Sequence, residues 1–310
     1  MEDLKLEQFY KATFKNSKAS SIIIYDLKSQ QILGDFDNIK FNTRSIAKTV
    51  LTISFALLMK KTNNRYNLDT YVFPKIMDKI EVREPKYLKF RNEVKVKHLL
   101  THTTGFNKPL LMSKDISGIN KENLLDYCFM NPLIYSPEIH FQYTNAGYYI
   151  LSVFMETVLG ESLYDFINKN LFEKLNIINP KWEFYGKYMV GASKLYLSDR
   201  DLLKIGELLL NKGKYLGINL IEEKYISQMM SPIVKSNISS DLKYLRQSHY
   251  GLGMWVGEED VRFLSGTGGQ IVAILLDEKK IILATNRGDA CFSSLIKKDV
   301  DSLIEYIKGD

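Results

Sequence analysis

Apolar and polar positions change rhythm several times along this chain. Residues 2–16 carry Leu4, Phe9, Ala12 and Phe14 among charges, a roughly helical spacing. Ser21–Asp26 and Gln31–Asp35 are short β-rich runs separated by Leu27-Lys28-Ser29-Gln30, which predicts a hairpin. A helix is predicted from Ser45 to about Lys61, ending before Asn63-Asn64. Between about 64 and 190 the pattern is irregular and helical, punctuated by Pro74, Pro85, Pro109, Pro132, Pro137 and Pro180. Within that stretch Asn145–Leu159 has an apolar face and stops at Gly160, and Glu161–Asn170 follows as a shorter helix. Ser198–Asn211 reads as a helix with Ser198 as N-cap and Gly213 as terminator, and a shorter one covers about Glu222–Met230. From Tyr250 onward the texture is strand: Gly251–Val256, Val261–Leu264, Gln270–Leu276 and Lys280–Thr285, divided by glycine or charged turns. A last amphipathic helix is expected over about Phe292–Lys308. Strands from both chain ends should therefore share one sheet, with a helical region inserted between them.

Composition adds bounds. The chain has 310 residues, 45% apolar and 25% charged, enough for a sizeable core in one large domain or two small ones. The net charge of +6 is scattered, and Lys60-Lys61 and Lys279-Lys280 are too short to be a nucleic-acid arm, so no nucleic-acid partner is expected. Residues 1–7 hold neither a basic nor an apolar leader region. The most apolar stretches, Val50–Met59 and Ile271–Leu276, fall short of the ~20 residues that span a bilayer. A cytoplasmic protein without a membrane partner is the simplest reading. Cys128 and Cys291 lie far apart among apolar residues and are expected as two buried free thiols. His98, His102, His140 and His249 show no metal-ligand spacing, so no metal or other cofactor is expected.

Three short motifs could carry chemistry. Ser45-Ile46-Ala47-Lys48 opens a long apolar helix, where free N–H groups favour negative charge and Lys48 lies over the same face one turn on. Desolvation there would lower the lysine's pKa and make it a base for the hydroxyl. The same Ser-x-x-Lys spacing recurs at Ser240/Lys243 and Ser294/Lys297, and alone it equally describes a capping serine followed by a surface lysine. Tyr143-Thr144-Asn145 opens the second apolar helix. A phenol beside an ammonium can take a proton, and Asn145 can hold both Lys48 and a substrate amide. An aromatic staple with an asparagine cap is the competing reading. Leu264-Ser265-Gly266-Thr267-Gly268-Gly269-Gln270 lacks the Lys-Ser/Thr of a phosphate loop and suits a strand edge that a substrate backbone can approach, or a plain glycine turn. His102 has no Gly-x-Ser-x-Gly elbow to serve and reads as a structural loop histidine.

The order of these motifs resembles the serine β-lactamase and penicillin-binding superfamily, in its class C β-lactamase-like branch. His98-Leu99-Leu100-Thr101-His102-Thr103-Thr104-Gly105-Phe106, Phe141 to Gly160, Val190–Lys212, Tyr250-Gly251-Leu252-Gly253 and Thr285-Asn286 extend the likeness over nearly the whole chain from about Ser20. The resemblance implies an α+β fold, an antiparallel sheet flanked by helices. It implies one domain over 1–310 with a sheet-and-helix lobe (1–63 plus 191–310) and a mainly helical lobe (64–190). It also implies that Ser45 attacks an ester or amide carbonyl and that Lys48 and Tyr143 share the proton traffic. Asn145 would orient Lys48 and substrate. The backbone N–H groups of Ser45 and Thr267 would form the oxyanion hole, and Ser265, Gly266 and Gly268 would line the substrate strand.

One departure narrows the substrate. Where class C enzymes read Lys-Thr-Gly, this chain reads Leu264-Ser265-Gly266, without the cation that anchors a carboxylate; Arg262 or Arg287 are the candidates to replace it. The expectation is a serine hydrolase acting on a small ester, amide, or short or D-configured peptide. The alternatives are a β-lactamase or D,D-carboxypeptidase, and a catalytically idle relative that serves as a binding module.

Overall fold

The computed structural model describes residues 2–309. The chain divides into two compact units. One comprises the chain up to Ile46, Tyr196–Pro232 and the chain from Ser236 onward; the other comprises Ala47–Leu195 and Ile233–Lys235.

The first unit is built on an antiparallel sheet. The strands that this unit contributes are β1 (Ser21–Asp26), β2 (Ile32–Leu33), β3 (His249–Tyr250), β4 (Trp255–Val256), β5 (Val261–Ser265), β6 (Ile271–Leu275) and β7 (Lys280–Thr285), in the spatial order β3-β4-β5-β6-β7-β1-β2. Both chain ends meet at β1 and β7, where Ser21 stands opposite Thr285 and Asp26 opposite Lys280. Every residue of β6 is buried, as are Ile22 to Tyr25 of β1, so these central strands are apolar on both faces rather than alternating. Helices supply the cover. Gly206 of the Asp199–Leu210 helix approaches so closely that a β-carbon there would meet Val272 and Ile281 at 3.1 Å. The Ser293–Lys308 helix buries Ile296, Val300, Leu303 and Ile304, and its Tyr306 stacks on Phe9 of the Glu2–Asn16 helix with ring centroids 4.3 Å apart.

Two expectations need correction here. Gly251–Val256 is not one strand: residues 251–254 turn between β3 and β4, with the Gly251 N–H donating to the Met254 carbonyl at 2.9 Å. A β-carbon at Gly251 would stand 2.0 Å from the Met229 carbonyl oxygen, and Gly253 has φ +71°, so close approach and turn geometry override the apolar run. Both cysteines are free, but only Cys128 is buried; Cys291 is exposed in the surface turn Ala290–Phe292.

The second unit is mainly helical. Its Ile46–Lys61 helix is buried from Ala47 to Leu58, all round its circumference, and Thr52 and Ser54 satisfy their hydroxyls on the carbonyls four residues back. Ala146–Leu159 is buried over its first ten residues and ends at Gly160 in the left-handed conformation. Ser162 then caps Leu163–Ile167. The helical unit takes in three stretches that the lobes drawn on the sequence gave to the sheet: residues 47–63, 191–195 and 233–235. The Ile46–Lys61 helix belongs with the helical unit, because its side chains are packed and bonded there. Among the described residues no helix is long and apolar enough to cross a membrane, and no cluster of His, Cys, Asp or Glu could hold a metal ion.

Candidate active site

Within the helical unit, Lys48 is fully buried. A surface lysine is therefore excluded, in contrast to Lys243, whose half-exposed ammonium lies 3.5 Å from Glu305. Lys48 Nζ donates to Asn145 Oδ1 at 2.8 Å and to the Ala192 carbonyl at 3.1 Å. The rings of Tyr143 and Tyr148 lie 4.9 and 5.6 Å from it, centroid to nitrogen. Asn145 and the Ala192 carbonyl carry no charge, and burial lowers the ammonium's pKa to about 7.

Tyr143-Thr144-Asn145 is held in place by residues 98–111. Thr144 is fully buried; its N–H donates to His102 Nδ1 at 3.3 Å, while its hydroxyl receives the Leu110 N–H at 3.0 Å. The Gln142 N–H donates to the His102 carbonyl at 2.8 Å and the Asn145 N–H to the Leu110 carbonyl at 3.1 Å. Asn145 precedes a helix, yet its side chain makes no capping bond. It donates instead to the Leu111 carbonyl at 2.9 Å and turns its oxygen to Lys48. The staple-and-cap reading of this tripeptide thus fails at the asparagine.

The His102 ring sits 4.3 Å from that of Tyr143. Burial, and then the charge of Lys48, holds His102 well below its ordinary pKa, and its Nδ1 is committed as an acceptor. It is a neutral strut behind Tyr143, a role that its reading as a loop histidine did not include. The Ala192 carbonyl was equally invisible in the sequence, since a backbone oxygen carries no side-chain signature.

The first unit holds Ser45 and the glycine-rich turn. Asp199, fully buried at the start of its helix, accepts the N–H groups of Asp37 and Asn38 at 2.8 and 3.2 Å and so fixes the approach to Ser45. Phe41 and Asn42 then pair with Leu197 and Tyr196. Ser45, half-buried, follows directly and leads into the Ile46–Lys61 helix. Beside this segment β5 ends at Ser265, and residues 266–269 turn back, with Gly266 and Gln270 sharing a backbone bond of 2.8 Å. Gln270 and Asn286 brace the turn: Gly268 N–H donates to Gln270 Oε1 at 3.0 Å, and Asn286 Nδ2 to the Gly268 carbonyl at 2.6 Å. Ser265 is half-buried, Gly266 and Gly268 are buried, and Thr267 is exposed. Among the described residues no acceptor engages the Thr267 N–H.

Neither arginine proposed as a substitute cation is available. Arg262 donates to the carbonyls of Met230, Glu259 and Val261, and Arg287 pairs with Asp37 at 3.1 Å.

Residues 38–290 match the β-lactamase family. A penicillin-binding protein homologue from Pyrococcus abyssi, octameric in its crystal structure, is 18% identical with TM-score 0.74, covering 100% of this chain and 78% of its own. EstCE1, a hydrolase with promiscuous acyltransferase activity, is 14% identical with TM-score 0.73 and 98% coverage of both chains. The D-amino acid amidase of Ochrobactrum anthropi SV3 is 14% identical with TM-score 0.70, covering 100% of this chain and 99% of that one. At such identities the structures speak for the fold, antiparallel sheet and helices together, while the family match spans most of the sequence. The chain belongs to the β-lactamase family, within the serine β-lactamase and penicillin-binding protein superfamily.

Proposed function

We propose that this protein is a serine hydrolase that forms an acyl-enzyme on Ser45 and releases it to water, acting on a small ester or amide. The observation that carries the reading is Lys48: fully buried, held by Asn145 Oδ1 and the Ala192 carbonyl, with a pKa of about 7. A lysine kept in that state is costly unless its free amine is used. It stands three residues after Ser45 in the chain.

In this reading Ser45 Oγ attacks the carbonyl carbon as its proton passes to the Lys48–Tyr143 pair. The tetrahedral oxyanion lies on the backbone N–H groups of Ser45 and Thr267, each such donor being worth about 10²–10³ in rate. The leaving alkoxide or amine takes the proton, and water repeats the sequence to free the acid. Asn145 holds the Lys48 nitrogen throughout.

A fluorophosphonate probe should add one label, on Ser45, and Ser45→Ala should lose at least about 10³-fold in turnover of an activated ester. Full turnover in that variant would refute the reading. Failure of the wild type on every activated ester, amide and D-amino-acid amide would instead favour an idle binding module. Rapid turnover of a chromogenic cephalosporin would move the assignment to a β-lactamase.

A further inference from the structure

The residue before Ser45 is unusual in three independent ways. Arg44 has φ +54°, in the left-handed region that side chains other than glycine enter at a cost. Its N–H is tied to Asn42 Oδ1 at 2.9 Å, which fixes the turn. Facing it, Gly266 is a glycine for room: a β-carbon there would stand 2.8 Å from the Thr43 carbonyl oxygen and 3.0 Å from Arg44 Cβ. The arginine side chain therefore leaves the backbone against the last residue before Thr267.

The third peculiarity is electrostatic. The other arginines are engaged: Arg91 on carbonyls, Arg200 on Asn38 and the Phe36 ring, Arg287 on Asp37. Arg83, Arg246 and Arg262 likewise have partners, and Arg65 lies over Tyr66. Among the described residues no carboxylate, carbonyl or ring engages the guanidinium of Arg44, which is only half-buried. A permanently charged fork without a protein partner, borne beside the nucleophile on strained backbone, is what recognition of an external anion requires.

We infer that Arg44 is the anion-recognition residue of this site and that it selects acyl donors carrying a carboxylate near the scissile carbonyl. The inference rests on Ser45 being the nucleophile. A glycine at this position would relieve the backbone but leave no cation; Arg262 and Arg287 are committed elsewhere.

The test compares the 4-nitrophenyl monoesters of glutarate and pentanoate, acyl groups of equal chain length that differ in one terminal carboxylate. The wild type should prefer the glutarate ester. In Arg44→Gln the ratio of the two kcat/KM values should fall about 10–100-fold, the range of a charge-assisted pair, chiefly through KM for glutarate. Arg44→Lys should retain part of the preference, and added salt should erode it in the wild type. Arg44→Gly, freed of the left-handed strain, guards against misfolding: it should melt at or above the wild-type temperature and still lose the ratio. An unchanged ratio in Arg44→Gln, or no wild-type preference, while the fluorophosphonate still labels Ser45, overturns the role of Arg44 alone. Absence of both turnover and labelling overturns the hydrolase reading with it.

Discussion

Burial is what separates Lys48 from most of the 42 Lys and Arg side chains of this protein. Desolvation lowers its pKa from 10.5 to about 7, so the folded protein holds a free amine above that value, while the unfolded chain binds the proton until about pH 10.5. The unfolded state then carries more protons between about pH 7 and 10.5, and this residue's contribution makes stability rise with pH across that window. Ester turnover should rise through an ionisation near pH 7, read as the acid limb of kcat/KM. Lys48→Met should abolish turnover and flatten the dependence of the melting temperature between pH 6 and 9. A steep dependence retained in that variant would assign the effect elsewhere. Asn145→Leu tests the nitrogen's partner: it removes the acceptor 2.8 Å from Lys48 Nζ, and should cost at least tenfold in kcat and about 1–3 kcal/mol of stability by urea unfolding.

At the scale of elements, the turn that leads to Ser45 and the glycine-rich turn are positioned through backbone contact, so their fit is unforgiving. Gly266→Ala would push a methyl to 2.8 Å from the Thr43 carbonyl oxygen and force that turn to shift. Displacements of about 1 Å cost on the order of 10²-fold in rate. The expected result is a large loss in kcat with a melting temperature lowered by only a few degrees. An equal loss of structure by circular dichroism would mean that the glycine serves folding instead. Elsewhere caps act locally. Ser198 and Asp201 form a reciprocal capping box on the Asp199–Leu210 helix. Ser198→Ala should cost about 1 kcal/mol by denaturant titration.

The whole molecule depends on its two chain ends. β1 is bonded to β7 across more than 250 residues of sequence, so the sheet closes only when almost all of the chain is present. Such pairing carries a large loop-closure cost and predicts slow folding. The last helix completes the core. Removing residues 293–310 would expose the surfaces now covered by Ile296, Val300, Leu303 and Ile304, each worth roughly 1.5–3 kcal/mol. Their sum rivals the whole stability of a typical domain, about 5–15 kcal/mol. The truncated protein should fail to show a cooperative thermal transition; a cooperative melt would show that the sheet stands without that cover.

Local pattern was enough for the long elements. The helices ending at Lys61, Leu159 and Leu210 and the strand Lys280–Thr285 follow from apolar periodicity, caps and glycine stops, all of which act over a few residues. The same pattern misread Gly251–Val256, because the Met229 carbonyl that forces a turn there comes from another element. It also misjudged Cys291, whose exposure depends on what packs above it. The candidate site divides in the same way. The motifs and their order were legible as residues, and with them the family. Whether Lys48 was a surface cation or a buried amine was decided by packing and by partners such as Asn145 and Ala192, 97 and 144 residues away in sequence. That no described carboxylate pairs with Arg44 was likewise undetermined until the chain had packed. Chain-local physics specifies elements and chemistry; desolvation and ion pairing are properties of the packed volume, and only the tertiary structure assigns them.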